Sequence, residues 1–470
     1  MENNRLKYLF KNTAVFAIAN FASKLITFFL IPLYTHTLTP DQYGIVDLLF
    51  TLVSVLVPLI TLNIVESIMR FSLDKDSNTN KIMSIGIVIA IISSILALIF
   101  IPILNIFKEY KEYSWYFYFY VITLGVSQIF LYNLKGQEKL KLFSIGNVLQ
   151  TFCVAILNLY FLVYLRLEIK GYFLAYIISN IIVGIYSFIS GNVLKNLKNF
   201  IFDKKLFKEM TKYSFYLIPN SFMWWIMNAS DRVMVSIFVG IKENGLYGVS
   251  YKIPGLLTTL STIFNQAWIF SAINEKDNKD KDVYTNKVFN NLVFIVSFVS
   301  VGILIILKLL FKILFEKEYY IAWQYVPILL VGFTFLTLAT FLSTSYNVYK
   351  DSKGFLCSGT IGAIVNILLN FLLIPKIGVF GAAIATTFSY LGVFIYRIFD
   401  TRKYVKIILN KKIVFNLLLV LSSSIIVYID NYLSYLLQGI VIVCLIFINI
   451  EKIKKICINI KKCLYKICSC

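Results

Sequence analysis

The sequence predicts an all-α integral membrane protein, and three observations predict it. Hydrophobic residues make up 59% of the 470-residue chain and charged residues 15%, with a mean hydropathy of +0.78. A soluble globular domain holds about 45–50% apolar and about 25% charged residues, so the surplus apolar surface must face something other than water. The apolar residues gather into about fourteen runs, each near the ~20 residues an α-helix needs to cross a bilayer. The gaps between runs are short and hold the cations, the distribution that orients helices in membranes.

The runs lie near Asn12–Tyr34, Tyr43–Val65, Ile82–Ile103, Ser114–Leu134, Leu142–Leu165, Gly171–Ser190, Tyr213–Val239, Tyr247–Phe270, Phe289–Leu310, Ala322–Val348, Phe355–Ile374, Val379–Arg397, Ile413–Tyr428 and Tyr432–Ile450. The last two are separated only by a minimal turn at Asp430 and Asn431. No cleavable signal peptide is expected, because the first run is long, carries Lys24 in its middle and lacks a small-residue cleavage pattern.

The formal net charge of +21 is not read as a nucleic-acid footprint, since the cations sit between membrane runs. With the N-terminus cytoplasmic, the inner side collects Arg5, Lys7 and Lys11, then Lys135, Lys139 and Lys141. It also collects the clusters Lys195–Lys212 and Arg397–Lys412 and the tail Lys452–Lys466. The opposite loops hold no Lys or Arg between Thr35 and Gln42, only Lys242 near Gly245, and only Lys376 near Gly378. Both termini are therefore expected in the cytoplasm. The tail spaces Ile453, Ile456, Ile460, Leu464 and Ile467 at helical intervals between lysines, a basic amphipathic helix suited to the anionic membrane surface. Cys153, Cys357 and Cys444 read as small hydrophobes within runs. Cys457, Cys463, Cys468 and Cys470 lie in the tail, where neither disulfides nor a zinc site is expected.

An internal repeat organises the runs. Tyr43-Gly44 opens the second and Tyr247-Gly248 the eighth. Lys141, Phe143 and Asn158 match Lys353, Phe355 and Asn370 at one offset, and Gly171–Ala175 matches Gly381–Ala385. Each copy holds an even number of spans, so both share one orientation, with a pseudo-twofold axis along the membrane normal. The expected organisation is a six-helix lobe over 1–194, a cytoplasmic linker over 195–212, a second six-helix lobe over 213–400, two further spans over 401–450 and the tail over 451–470. No loop is long enough to bury a core of its own, so function must reside among the membrane helices.

Ionisable residues inside a bilayer cost at least about 2.5 kcal/mol at mid-depth, and mark candidate sites. Lys24 lies near the middle of the first span. Asp231 and Arg232 lie in the outer half of the seventh, Lys252 early in the eighth and Asp47 early in the second, while Glu66 and Arg70 end the second. Lys24, Arg232 and Lys252 on matched helices read as a surface for an anionic solute, with phosphate or diphosphate fitting an Arg fork and Lys point charges. Structural readings stand beside these. Glu66 and Arg70 could be a simple i,i+4 pair, Asp47 an interfacial cap, and Asp231 a partner for a cation on another helix. His36 reads as a solvated loop residue rather than a ligand. Pro32, Pro58, Pro219 and Pro254 are expected to break the first, second, seventh and eighth helices. Aromatic runs at Tyr113–Tyr120 and Trp224–Trp225 read as interface anchors. No phosphate-binding loop, zinc-protease or hydrolase motif is present, so no catalytic residue, metal or cofactor is expected.

The stretch LKYLFKNTAVFAIANFASKLITFFLIPLYTHTLTPDQYGIVDL and the later NASDRVMVSIFVGIKENGLYGVSYKI, with its Asp231-Arg232 and Tyr247-Gly248, resemble the Wzx-type polysaccharide flippases of the multidrug/oligosaccharidyl-lipid/polysaccharide exporter superfamily. The resemblance spans the chain. It implies a MATE-like fold and alternating-access transfer of an undecaprenyl-diphosphate-linked oligosaccharide from the inner to the outer leaflet. It implies substrate contacts at Lys24, Arg232 and Lys252, with Arg70 on the entry side. Asp231, Glu66 and Asp47 become candidate carriers of a coupling proton or sodium ion. Implied partners are the lipid-linked glycan, membrane lipids, and a polysaccharide polymerase and chain-length regulator, without nucleic acid. A lipid II flippase is a near relative of this reading. A multidrug cation antiporter would want an acidic pocket, and a membrane sugar polymerase or ligase a larger outer loop.

Overall fold

The computed structural model describes residues 23–74, 77–430, 432–452 and 454. The N-terminal cations Arg5, Lys7 and Lys11, the first half of the first run, and the amphipathic tail with its four cysteines lie outside the described residues. Among the described residues the elements are helices, and nine are long and apolar enough to cross a membrane. Each of the fourteen predicted runs has a helix in it. The Lys411–Ile426 and Tyr432–Ile448 helices are shorter than a full span, at 16 and 17 residues.

The chain forms two compact units, 1–248 and 249–470. In the first, α1 (23–37) leads into α2 (Pro40–Ile60), α3 (Ile64–Ser72), α4 (Thr79–Ala97) and α5 (Phe100–Ile106). Then come α6 (Ser114–Gly136), α7 (Leu140–Asn158), extended by a π-helical turn Leu159–Tyr164, and α8 (Glu168–Ser190). Two short helices, α9 (Val193–Lys198) and α10 (Lys204–Phe215), precede α11 (Ile218–Phe238) and α12 (Ile241–Ser250).

The core of this unit is aliphatic at one end and aromatic at the other. Ile64, Ile68, Ile82, Met83, Ile85 and Ile89 pack with Val193 and Met210. The segment read as a linker is thus two helices docked on α3 and α4. Ser67 fixes the dock by donating to the Met210 carbonyl at 2.6 Å and meeting Ser214 at 2.5 Å. At the other end Phe50 stacks on Tyr120, with centroids 4.3 Å apart, and meets Tyr172 and Tyr176 edge-on. Such offset and T-shaped pairs satisfy the ring quadrupoles.

In the second unit, α13 (Gly255–Glu275), α14 (Lys281–Leu314), α15 (Val326–Tyr349), α16 (Ser352–Ile377), α17 (Val379–Asp400), α18 (Lys411–Ile426) and α19 (Tyr432–Ile448) follow in order. The centre is α15, which packs on α13, α14, α16, α17 and α18. It is apolar all round, as a helix enclosed by other helices must be. The α18–α19 pair is pinned by buried amides: Asn449 donates to Asn416 at 2.9 Å, and Ser423 meets Gln438 at 2.5 Å.

Three of the four prolines mark helix limits as the sequence predicts. Pro58 lies two residues before the end of α2, and Leu62 and Asn63, both left-handed at φ 51°, separate α2 from α3. Pro219 sits in the first turn of α11 and Pro254 caps α13, where a missing N–H removes no helical bond. Pro32 differs from the expectation: α1 continues through it to residue 37.

Candidate functional site

The start of α2 is set by Thr39, whose hydroxyl accepts from the Gln42 N–H while Gln42 returns its side-chain oxygen to the Thr39 N–H. This reciprocal cap places Asp47 roughly 10 Å along the helix. The α2 helix packs on α11, whose Arg232 lies at about the same distance from its own far end. There the Arg232 Nη1 donates to Asp47 Oδ1 at 2.7 Å, with side-chain exposures of 16% and 5%. Arg232 also reaches Thr51 Oγ1 at 3.3 Å, and Trp225 Nε1 donates to the Thr51 carbonyl at 3.1 Å between the same helices.

Asp231 and Arg232 are adjacent but point about 100° apart around the helix. Asp231 turns inward, fully buried, and accepts the Tyr247 hydroxyl at 2.6 Å and the Arg232 N–H at 3.0 Å. Tyr247 is itself fully buried. Two carboxylates and one guanidinium thus share a largely buried corner of the first unit.

The Tyr-Gly repeat explains how the corner closes. A Cβ on Gly44 would stand 2.0 Å from the Ile241 carbonyl oxygen, and one on Gly245 2.0 Å from the Pro40 carbonyl oxygen. Only glycine permits backbones to approach so closely. A Cβ on Gly248 would lie 2.8 Å from the Asp47 carboxyl carbon. Asn244, fully buried, donates its amide to the Gly44 carbonyl at 3.0 Å. The glycines of the two repeat copies are therefore the material that packs α2 against α12.

The remaining predicted site residues fall elsewhere. Lys24 is exposed on α1 and His36 is exposed at its end. Arg70 pairs with Asp74 at 2.5 Å on the surface rather than with Glu66, which is half-buried in α3. Lys252 is half-buried in the turn between α12 and α13 and belongs to the second unit. The structure thus joins Asp47 to Arg232 and seats Asp231 beside them.

Several polar groups escaped sequence reading. Arg397 reads as a loop cation but is fully buried in the second unit. Its Nε donates to Ser358 at 3.0 Å, its Nη1 to the Ala339 carbonyl at 2.7 Å, and its guanidinium lies 5.3 Å over the Phe355 ring. Lys308, inside α14, pairs with Asp430 at 2.6 Å and covers the Trp323 ring. Asn366, Asn370, Thr386 and Tyr251 form a buried polar string, with Asn370 donating to Asn366 at 2.9 Å and Tyr251 to Thr386 at 3.2 Å. Asn370 was visible only as a repeat position, and its repeat mate Asn158 is equally buried. Cys153, Cys357 and Cys444 are half-buried free thiols.

Apolar helices in two units, with a charge pair held between two helices of the first, define a multi-pass membrane protein. The fold is shared with solved structures of a lipid II flippase MurJ in an inward closed conformation (TM-score 0.71, 17% identity, 94% of this chain and 100% of that one). It is also shared with an inward-facing MATE-family multidrug resistance transporter of the MOP superfamily (TM-score 0.64, 12% identity, 82% and 97%). The chain belongs to the polysaccharide biosynthesis protein family, whose signature covers residues 9–270. Residues 315–450 match a second family, the lipid II flippase MurJ. Membrane protein MJ1068 of Methanocaldococcus jannaschii is 28% identical over 45% of this chain and 43% of its own length. The "Probable low-salt glycan biosynthesis flippase Agl15" of Haloferax volcanii is 25% identical over 39% of each. The chain thus spans less than half the length of these curated relatives. The family resemblance read from the sequence stands.

Proposed function

We propose that this protein is a flippase that carries a lipid-linked oligosaccharide from the inner to the outer leaflet of the cytoplasmic membrane by alternating access. Family membership and the fold support the class, and the names of the relatives that resemble it support a glycan-lipid cargo. The observation that carries the mechanism is the Arg232–Asp47 pair, held between α2 and α11. While Asp47 holds it, the guanidinium is neutralised. A proton or sodium ion taken up by Asp47 frees Arg232 to take a diphosphate in its two-pronged fork. Lys24, Lys252 and Arg70 supply further point charges along the route, and Asp231 and Glu66 are further carriers for the coupling ion. The cargo is moved without bond chemistry, and the glycan leaves the protein for a polymerase and chain-length regulator. Both termini face the cytoplasm, on the strength of the lysine asymmetry.

The test is delivery of labelled lipid-linked glycan to the outer leaflet in cells that depend on this protein. Arg232→Ala at normal expression is expected to abolish delivery and Arg232→Lys to restore it only partly. Normal delivery by Arg232→Ala would sink the reading. The match of residues 315–450 to the MurJ family favours one second reading, lipid II as cargo. Rescue of cells depleted of their lipid II flippase would select it.

A further inference from the structure

The corner where α8 gives way to α9 is built unlike a plain loop. The chain leaves Ser190 through Gly191 and Asn192, the latter left-handed at φ 53°, and turns back along the unit. A recess of about 410 Å³, open to the surroundings, is lined by Phe188, Ile189, Asn192, Leu194, Lys195 and Lys198. Apolar side chains and two ammonium groups meet there, and no carboxylate of the described residues lines it.

The chain then runs through Phe200, Ile201 and Phe202, which are 49%, 45% and 44% exposed. This strip is held in place while its side chains face outward. The Ile201 N–H donates to Ser84 Oγ at 3.1 Å, and Asp203 pairs with Lys81 at 2.8 Å. Beyond it, Lys204, Lys205, Lys208 and Lys212 are exposed on α10, whose opposite face is anchored by buried Met210. From Lys195 to Lys212 there are six lysines against Asp203 and Glu209. Asp203 is already engaged.

Three consecutive large apolar side chains set among lysines, next to the end of a membrane-crossing helix, match one surroundings. Apolar groups enter the acyl boundary while ammonium groups meet phosphates. We propose that the recess at the α8–α9 corner holds an anionic phospholipid of the adjoining leaflet. Its phosphate lies between Lys195 and Lys198 and an acyl chain runs along Phe188, Ile189 and Leu194, with the Phe200–Phe202 strip inserted beside it. A soluble protein or a second copy of the chain would not need this alternation of lysine and bare aromatic residues.

The experiment uses the full chain in nanodiscs of phosphatidylcholine doped with brominated phosphatidylglycerol or brominated phosphatidylcholine. Phe200→Trp adds an emitter at the strip, and quenching is read as the difference from the unsubstituted protein. Expected is quenching of the added signal, stronger with the brominated phosphatidylglycerol. Lys195→Gln and Lys198→Gln, both at exposed positions, are each expected to weaken that preference about fivefold, whereas Lys317→Gln leaves it unchanged. Equal quenching by the two lipids, insensitive to the lysine variants, would overturn the anionic site. No added quenching at all would overturn the lipid seat, and chain-to-chain crosslinking through position 200 would assign the face to a second copy. Lipid adducts retained in native mass spectrometry give an independent reading should Phe200→Trp express poorly.

Discussion

Arg232 and Asp47, 185 positions apart in the chain, meet at 2.7 Å in a nearly sealed corner between α2 and α11. A pair so buried gains its stability from mutual neutralisation, and removing either member strands the other charge.

The first prediction follows from that asymmetry. Asp47→Ala and Arg232→Ala are each expected to destabilise the detergent-solubilised protein by about 3–5 kcal/mol. The double variant Asp47→Leu/Arg232→Met is expected to lose far less than the sum. A double-mutant cycle on thermal unfolding checks this, and strictly additive losses would show that the two groups do not act as a pair.

Glycine contacts give the second. Gly44→Ala and Gly245→Ala force a methyl group onto a backbone carbonyl oxygen at 2.0 Å, so α2 and α12 must part. Folded yield is expected to fall severely for both. Gly302→Ala is the control, because nothing lies within 4 Å of its added methyl, and it should be neutral or stabilise α14 by up to about 1 kcal/mol. Folded yield on size-exclusion chromatography separates the two classes.

The third concerns Arg397. Replacing it with Ala leaves the Ala339 carbonyl and Ser358 without their donor and removes the cover of Phe355. A loss of about 3 kcal/mol is expected. Arg397→Lys should recover only part, since an ammonium cannot make two divergent bonds and stack at once. Recovery to the original melting temperature by Lys would show that charge alone matters there.

A pH dependence is the fourth. Asp351 caps α16 by accepting the Gly354 N–H at 2.9 Å and pairs with Lys403 at 2.9 Å. The cap bond first, and then the lysine, hold its carboxyl down at about 2. Asp203 is likewise lowered, first by Lys81 and then by the Leu206 N–H that it caps. A carboxyl whose folded value lies below its unfolded one (near 3.9) stabilises the fold above about pH 4. That contribution drains away as the pH falls towards about 2. Asp351→Asn should flatten the melting-temperature profile in this window and leave it parallel to the original above it.

Much of the fold is legible because hydropathy acts locally: a run of apolar residues must enter lipid wherever its neighbours go. The charges Asp47, Asp231 and Arg232 were legible for the same reason, each being costly in its own helix. Their pairing was not, because it depends on α2 meeting α11, which no local pattern encodes. Arg397 was misread because its position beside a basic loop outweighs its apolar neighbours in any linear view, and only helix packing shows it turned inward. The Tyr-Gly motif was seen as a repeat, but the backbone contact that demands glycine appears only in three dimensions. The docking of α9 and α10 was hidden by their high lysine content, although Met210 and Ser67 make the contact.

The interruption at Leu62 and Asn63 has a consequence of scale. Two left-handed residues in succession, one of them a leucine, cost on the order of 1–2 kcal/mol each, a strain held in place by the packing of α3 on α4, α6 and α10. Asp47 lies roughly 22 Å from the joint along α2. A reorientation of about 20°, the size of an ordinary helix kink, would sweep its carboxyl through about 8 Å. That is well over twice the 2.7 Å that holds it to Arg232. A change confined to two peptide units would therefore be geared up, by the length of the helix alone, into a displacement large enough to break a charge contact near the opposite end of α2.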